Sequence, residues 1–501
     1  MSARRVFAVD LGASGGKCFV GTFEPDRFAL DEIHRFSHEA VSFHLPDAAG
    51  RRVERMHWDD TLLFRHIVEG LHEYRRRVGP ELDSLGIDTW GADGALVDAN
   101  GESLGKMYAY RDHRLDDMVA KVQQNLGAFR TYELTGIHFW PFNLSNQLHW
   151  LVTERKELLR PGCRFLPAPS LFYYYLGAPP VVDSTFASVS QLMDARRKDW
   201  SREILDKLGI PEGLLPGIVA PGTVVGELSL GLAGKVGLNA AKLIAVASHD
   251  TASAFAAAPA EKPEEALIIS SGTWSLVGML VPEPITSAEA MKANLSNEGG
   301  IGNIRLLRNC MGTWIVQELR RVWRETDGRE LGWAELERMA AAAPAFAAFI
   351  DPDDLWFYNP PNMEKAIAEF CRKTGQTAPT DRGTLARVVY ESLALKYRVV
   401  NEVLGRISGL KSRLVHVVGG GCRNPTLNQF TADSLGLPVF AGPEEATAIG
   451  NAMVQAVGLG VLRDMNEAQS LIRRSFAVKQ YTPENPQRWD EAYRRFRERV
   501  G

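Results

Sequence analysis

Cysteine is scarce and poorly placed for a scaffold. The five cysteines (Cys18, Cys163, Cys310, Cys371, Cys422) are scattered, odd in number and never form C-x-x-C. That argues against zinc or a disulfide framework and fits a reducing cytoplasm. Long apolar runs are missing too. No window approaches the ~18 uninterrupted apolar residues that a spanning helix needs. The run Val6 to Val9 is broken at once by Asp10, which is too short for a signal-peptide core. Charge of one sign is also absent: 57 Lys+Arg stand against 61 Asp+Glu, a net charge of −4, so neither nucleic acid nor an anionic membrane is favoured as a partner. The short basic runs, Arg75-Arg76-Arg77 and Arg494 to Arg499, sit in helical patterns among acidic neighbours and read as solvated faces. What remains is a soluble, cytoplasmic chain whose 501 residues suffice for roughly two or three domains with a large core.

What the sequence does contain is a series of strand ends that carry polar residues. From Leu243 an apolar run reaches Ala247 and gives way to Ser248-His249-Asp250-Thr251, then a small-residue helical segment from Ala252 to Ala258. A second apolar run, Ala266 to Ile269, ends in Ser270-Ser271-Gly272-Thr273-Trp274. Such strand ends place reactive side chains at the carboxyl edge of an α/β sheet, where ligands bind. Asp250 is a candidate general base or, alternatively, a helix N-cap. The Ser-Ser-Gly-Thr turn offers hydroxyl and amide donors to an anion.

A comparable loop lies near the start. Val6 to Val9 reads as a strand, Asp10-Leu11-Gly12-Ala13-Ser14-Gly15-Gly16-Lys17 as a wide Gly-rich loop, and Cys18 to Phe23 as the returning strand. The spacing is not that of a Walker A loop or a Rossmann fingerprint. A carboxylate able to hold hydrated Mg²⁺ and a cation near phosphate suit nucleotide chemistry, and a plain tight hairpin is the alternative.

Further along, Asp59 or Asp60 caps a helix to about Arg77, on which His66 and His72 read as surface or partly packed residues, not ligands. The strand Leu82 to Thr89 leads to Trp90-Gly91-Ala92-Asp93-Gly94, where Asp93 is either open to a small polar ligand or caps the turn. The aromatic loop Gly136 to Asn143 suits the faces of a sugar. In the second half, Arg308-Asn309 is expected to open a helix carrying Gln317, Ala341 to Ala348 to be helical, and Thr384 to Leu404 to form a long amphipathic helix. Val415 to Val418 should be a strand ending at Gly419-Gly420-Gly421, where a flat group could lie on bare backbone. Pro443 should start a helix of small residues.

The segments VDLGASGGK, GIDTWGAD, YRDHR, PFN, SHDTAS, SSGTWSLVG, NEGG, RNCMG, VGGGCRN and EATAIGNA run from Val9 to about Gln455. This set resembles the actin-like ATPase superfamily and, within it, the FGGY carbohydrate kinases. The resemblance implies an α/β fold of two actin-like (ribonuclease H-like) ATPase domains flanking a catalytic cleft: 1–247 sugar-binding, 248–475 nucleotide-binding and 476–501 a helical tail. It implies Asp250 as the base that deprotonates the sugar hydroxyl, and Gly91, Asp93, His249, Thr251 and Asn309 as sugar contacts. Ala13, Ser14, Gly15, Gly16, Lys17, Thr273, Gln317 and Gly420 match ATP-contacting positions, and Asp10 the Mg²⁺-associated carboxylate. The implied partners are ATP and a small ketose, with no nucleic acid or membrane, in a monomer or homodimer. The implied reaction is phosphoryl transfer to the 1-hydroxyl of a 6-deoxy-ketohexose. Two departures stand out. Lys17 replaces the usual Arg, keeping charge but losing bidentate geometry. Gly94 replaces the bulky aromatic of members acting on L-rhamnulose, so WGADGALVD is more like those acting on L-fuculose. The larger motif set favours L-rhamnulose. Another ketose or polyol kinase is the rival within the class, and a catalytically silent nucleotide-binding sensor or scaffold the rival outside it. A retained Asp250 speaks against the latter.

Overall fold

The computed structural model describes residues 3–47 and 50–500 and divides into two compact units, each discontinuous in sequence. One comprises the chain up to Ala257, Val281–Leu306 and Thr447–Ser475; the other comprises Ala258–Leu280, Leu307–Ala446 and the chain from Phe476. The contiguous division at 247 and 475 therefore does not describe the packing. Loops mark where a chain turns, but only the burial of a returning segment shows which core it joins.

The first unit is built on a six-stranded sheet. Its strands are β1 (Arg4–Gly12), β2 (Gly15–Phe23), β3 (Phe28–Ser37), β4 (Ser84–Thr89), β5 (Thr223–Glu227) and β6 (Lys242–Ala245), in the order β5-β6-β4-β1-β2-β3. β4 runs parallel to β1 and β6, while β2 is antiparallel to β1. Val6 to Val9 are buried on both faces, as continuous apolar runs in central strands require. The ladder of β1 and β2 continues through Asp10↔Lys17 and Leu11↔Gly16 to Gly12↔Gly15. The expected wide loop is thus a tight turn at Ala13-Ser14, because polar side chains standing off the pleat do not interrupt backbone pairing. The helix Asp60–Arg77 is capped by Asp59, which accepts from the Leu62 N–H at 2.9 Å. It buries Leu63, Ile67, Leu71 and Tyr74.

The helix Ala446–Gly458 returns to this unit from far along the chain. It starts at Ala446 and not at Pro443, since Glu444 ahead of it is turned into an ion pair with Arg423. Its small residues allow direct backbone approach: a Cβ on Gly450 would lie 1.9 Å from the Ser253 carbonyl oxygen, and one on Gly458 2.4 Å from that of Gly222.

In the second unit β7 (Ala266–Ser271), β8 (Trp274–Val281), β9 (Leu414–Val418), β10 (Val439–Ala441) and β11 (Lys479–Tyr481) lie in the order β8-β7-β9-β10-β11. β7 is antiparallel to β8 and parallel to β9, so this hairpin repeats the β1–β2 arrangement. The helix Arg382–Ser408 is capped by Asp381 and buries residues on nearly every face of its first four turns. Three expectations need correction here. Arg308 and Asn309 lie inside a strand, Ile304–Met311, and the helix carrying Gln317 begins only at Trp314, after Gly312-Thr313. The alanine-rich helix is Trp333–Ala342 and stops before Pro344, which cannot supply the N–H that a further turn needs. The terminal helix Pro486–Val500 is no separate tail: it packs within this unit, with Trp489 edge-on to Phe346 at 4.9 Å. Among the described residues no helix is long and apolar enough to cross a membrane.

Candidate active site

Within the first unit the segment after β4 and the segment after β6 run side by side. The Thr89 N–H donates to the Ser248 carbonyl at 2.8 Å, and Thr89 bridges to His249 in parallel register. This brings Gly91 against His249 so closely that a Cβ on Gly91 would lie 2.6 Å from its Nε2. Asp250 is the first residue of the short helix Asp250–Ala256. Its Oδ1 accepts from the Thr251 N–H and hydroxyl at 2.5 and 3.0 Å. The side chain keeps 32% of its surface exposed, yet loss of solvent pushes its pKa up to about 6, with Thr251 and the Arg305 guanidinium opposing that rise.

His249 owes its state to Arg305, whose side chain is wholly buried. Arg305 Nη2 lies 3.2 Å from His249 Nδ1. A guanidinium can only donate, so Nδ1 is the acceptor and the ring proton sits on Nε2. Nε2 is 3.4 Å from Asp250 Oδ1. Burial first, and the Arg305 charge second, hold the imidazole neutral. Arg305 in turn lies 3.1 Å from Glu298 Oε2 and donates to the Gly299 carbonyl at 3.0 Å. A buried cation paired with a carboxylate therefore sets the tautomer of the imidazole beside the candidate base.

Asp93, two residues after Gly91, is buried and not open to a ligand. Its fully buried Oδ2 accepts from Trp58 Nε1 (2.7 Å), Trp90 Nε1 (3.1 Å) and the Tyr110 N–H (3.0 Å), and its Oδ1 from Gln147 Nε2 (3.0 Å). Burial pushes its pKa up to about 6 despite these donors. A backbone φ of 71° lets the carboxylate turn inward between its small neighbours. Asp93 thus positions the two indoles, which pack 4.7 Å apart. Gly94 leaves no gap: a Cβ there would lie 2.4 Å from the Leu166 carbonyl oxygen and 2.6 Å from the Phe165 ring. The space beside Gly94 is filled by Phe165, a residue of the hydrophobic core.

At the tip of β1, Asp10 stands level with Asp88 on β4 and opposite Lys17 on β2. Asp88 is fully buried, accepts from Asn451 Nδ2 at 2.6 Å, and leaves its Oδ1 without a hydrogen-bond partner. Burial above all, then the charges of Asp10, Asp250 and Asp183, raise its pKa well above the carboxylate range. Hard oxygen donors and excess negative charge are the donor set that a hydrated divalent cation fits. The turn at Ala13-Ser14 is braced by His38, whose Nε2–H donates to the Gly12 carbonyl at 2.8 Å. Gly15 and Gly16 are required by β3 itself, since Cβ atoms there would strike the Phe36 carbonyl oxygen (2.8 Å) and ring (2.3 Å).

In the second unit Thr273 forms the β7–β8 turn with Gly272, and its carbonyl accepts from the Gly312 N–H at 3.0 Å. Gly312 fits because a Cβ would sit 2.6 Å from the Gly272 oxygen. Thr313 Oγ1 donates to the same oxygen at 2.8 Å and accepts from Gln317 Nε2 at 3.2 Å, which ties Gln317 to the turn. Gly421 lies where a Cβ would overlap Ser271 Oγ (2.0 Å), whereas a Cβ on Gly420 would meet nothing within 4 Å. The stretch after β9 is therefore seated on β7 through Gly421, with Gly420 presenting bare backbone. Asn309 precedes a strand end fixed by Asp353, which accepts from the Met311 N–H at 3.0 Å. The nearly buried Lys396 holds Asp351 and Asp353 at 2.7 and 3.0 Å.

Two family descriptions match the chain: the FGGY family of carbohydrate kinases, N-terminal domain, over 55–256, and its C-terminal domain over 267–459. The chain belongs to the FGGY family of carbohydrate kinases. Among its relatives are rhamnulokinases of Pectobacterium carotovorum (40% identical, 99% of this chain and 96% of that one) and Bacteroides thetaiotaomicron (40%, 98% of each). That of Bacillus subtilis is 35% identical over 95% of each chain. Solved structures with the same fold include a gluconate kinase from Lactobacillus acidophilus (TM-score 0.80, 16% identity, 99% of this chain and 97% of that one). Another is a Plasmodium falciparum glycerol kinase with ADP (TM-score 0.77, 15% identity, 99% and 98%). The fold is thus the two-domain actin-like, ribonuclease H-like one that the resemblance implied, and the protein is a phosphotransferase acting on an alcohol group.

For this FGGY kinase the structure groups Gly91, His249, Asp250 and Thr251 around one point of the first unit. It groups Thr273, Gln317 and Gly420 in the second, the unit that also carries Asn309. Sequence reasoning missed Arg305, Glu298, Asp88, Asn451 and His38. Glu298, Asp88 and Asn451 lie inside quoted motifs, where an acid or amide among small residues was the available signal. Arg305 and His38 carried none.

Proposed function

We propose that this FGGY kinase transfers the γ-phosphoryl group of ATP to the 1-hydroxyl of L-rhamnulose. The observation that carries this reading is the near-complete coverage by relatives named rhamnulokinase. The site geometry supports it. A carboxylate with a pKa near 6 can take the hydroxyl proton at neutral pH and later release it, so Asp250 acts as the base while the P–O bond to ADP breaks and that to the sugar forms. The Nε2–H of His249, fixed by Arg305, faces Asp250 and the sugar. Gly91 and Thr251 line the same point, and Asp93 acts through Trp58 and Trp90; in the second unit Asn309 is the candidate sugar contact. In the first unit the turn Ala13-Ser14 with Gly15, Gly16 and Lys17, and in the second unit Thr273, Gln317 and Gly420, are the candidate ATP contacts. Asp10, with Asp88 beside it, would hold hydrated Mg²⁺, which neutralises phosphate charge.

L-Fuculose is the alternative substrate, differing only at C4. Phe165 fills the space beside Gly94, and the preference for L-rhamnulose rests on the relatives named rhamnulokinase. The test is kcat/KM for both ketoses, with the product's phosphate position fixed by NMR. L-Rhamnulose should be preferred by about 10–200-fold, the range a shaped apolar wall provides. A tenfold preference for L-fuculose overturns the assignment.

A further inference from the structure

We propose that His34, His66 and Glu69 form a binding site for one transition-metal dication, with Zn²⁺ the best match, on the outer side of the first unit. His34 lies on β3, and His66 and Glu69 share a face of the helix Asp60–Arg77, three residues apart. Their donor atoms converge. His34 Nε2 is 3.4 Å from His66 Nδ1, His66 Nδ1 is 2.8 Å from Glu69 Oε2, and Glu69 Oε2 is 3.7 Å from His34 Nε2. A tetrahedral ion with bonds of about 2.0–2.1 Å requires donor–donor edges of about 3.3 Å. The three edges bracket that length, so small side-chain rotations suffice to place an ion equidistant from all three.

The donor set, two imidazoles and a carboxylate, is of a kind that Zn²⁺ takes with its fourth position left to water. His34 and Glu69 line a surface groove together with Glu32, Glu73 and His72, so water reaches the point where these two donors meet. Of the arginines nearby, Arg35 is paired with Glu32, Arg76 and Arg77 share Glu73, and Arg65 lies 3.5 Å from Glu69 Oε1, which leaves Oε2 as the donor facing the imidazoles. A hydrogen-bonded pair of His66 and Glu69 alone would leave no reason for a second imidazole nitrogen at the same point. The His66 ring is stacked on Phe36 at 4.1 Å and 11°, and the Phe36 ring fills the space over Gly16. An ion here would join helix to strand behind the Ala13-Ser14 turn. From the sequence His66 reads as a surface or partly packed residue; its partner His34 lies on a different element, 32 positions away, where no local spacing links the two.

The whole chain, freed of metal by chelation, would be titrated with Co²⁺ and then with Zn²⁺. One equivalent of Co²⁺ per chain should bind with a Kd of about 1 μM or below and develop the visible d–d bands of a four-coordinate site, and Zn²⁺ should displace it. His66→Ala and Glu69→Gln should each weaken Zn²⁺ binding more than about tenfold, while His72→Ala leaves it unchanged. Glu69→Gln keeps the side chain's shape, so it decides the matter if His66→Ala fails to fold; urea unfolding of each variant without metal checks this. Absence of saturable binding, or binding that Glu69→Gln and His34→Ala leave intact, overturns the proposal.

Discussion

At the scale of single residues, the chemistry depends on how neighbours bias a few protons. The groups facing Asp250 are His249, Thr251 and Arg305, with Glu298 and Asp88 behind them, and the balance leaves its carboxyl at about 6. A carboxylate whose pKa is raised is lost as a base earlier on acidification. In the wild type kcat/KM should therefore fall as pH drops through about 6, and not through the ordinary carboxylate range. Asp250→Asn should lower kcat by roughly 10²–10⁴-fold with nucleotide affinity nearly unchanged. Steady-state kinetics beside a nucleotide-binding isotherm would check both, and near-wild-type turnover in a folded variant would remove Asp250 from the mechanism. Asp250 was legible as an acid at a strand end. Its tuning was not, because Arg305 reaches His249 from 56 positions away.

At the scale of elements, the two hairpins and the helix Ala446–Gly458 show what small residues accomplish. Gly450 and Gly420 make opposite predictions. Gly450→Ala puts a methyl group into the Ser253 backbone, which is not the end of a flexible side chain and cannot swing away. It should destabilise the protein by about 1–3 kcal/mol or more, read as a lower urea midpoint. Gly420→Ala meets no atom within 4 Å and should leave that midpoint in place while raising the KM for ATP. Equal loss of stability in the two variants would contradict the packing described. The hairpins were recognisable from apolar runs flanking Gly and Ser. Their tightness was not, since a polar residue inside a strand looks the same as one in a loop.

At the scale of the whole molecule, the first unit is completed by segments that the ribosome makes late. Asn451 donates to Asp88, and Gln455 donates to Asn451 and the Phe7 carbonyl and accepts from Ser84. Glu298 and Arg305 complete His249 in the same way. A fragment ending at Ala257 lacks all four and leaves buried polar groups unpartnered, at about 1–3 kcal/mol each. Expressed alone, it should show no cooperative urea transition by circular dichroism, whereas the full chain should. A sharp transition in the fragment would mean that the unit is complete without the returning segments.

Taken alone, the sequence determined the local matters: the central strands, the capped helix after Asp59, the strand-end motifs, and through those motifs the kinase family. Each depends on the order and spacing of neighbouring residues, which a linear reading sees directly. The tertiary structure decided the rest: that Asp93 braces two indoles, that Phe165 fills the space at Gly94, and that Arg305 sets the His249 tautomer. It also decided that the helix Ala446–Gly458 belongs with the first sheet. These arise from contacts between residues far apart in the chain, where burial and the pairing of polar groups select partners that no local pattern specifies.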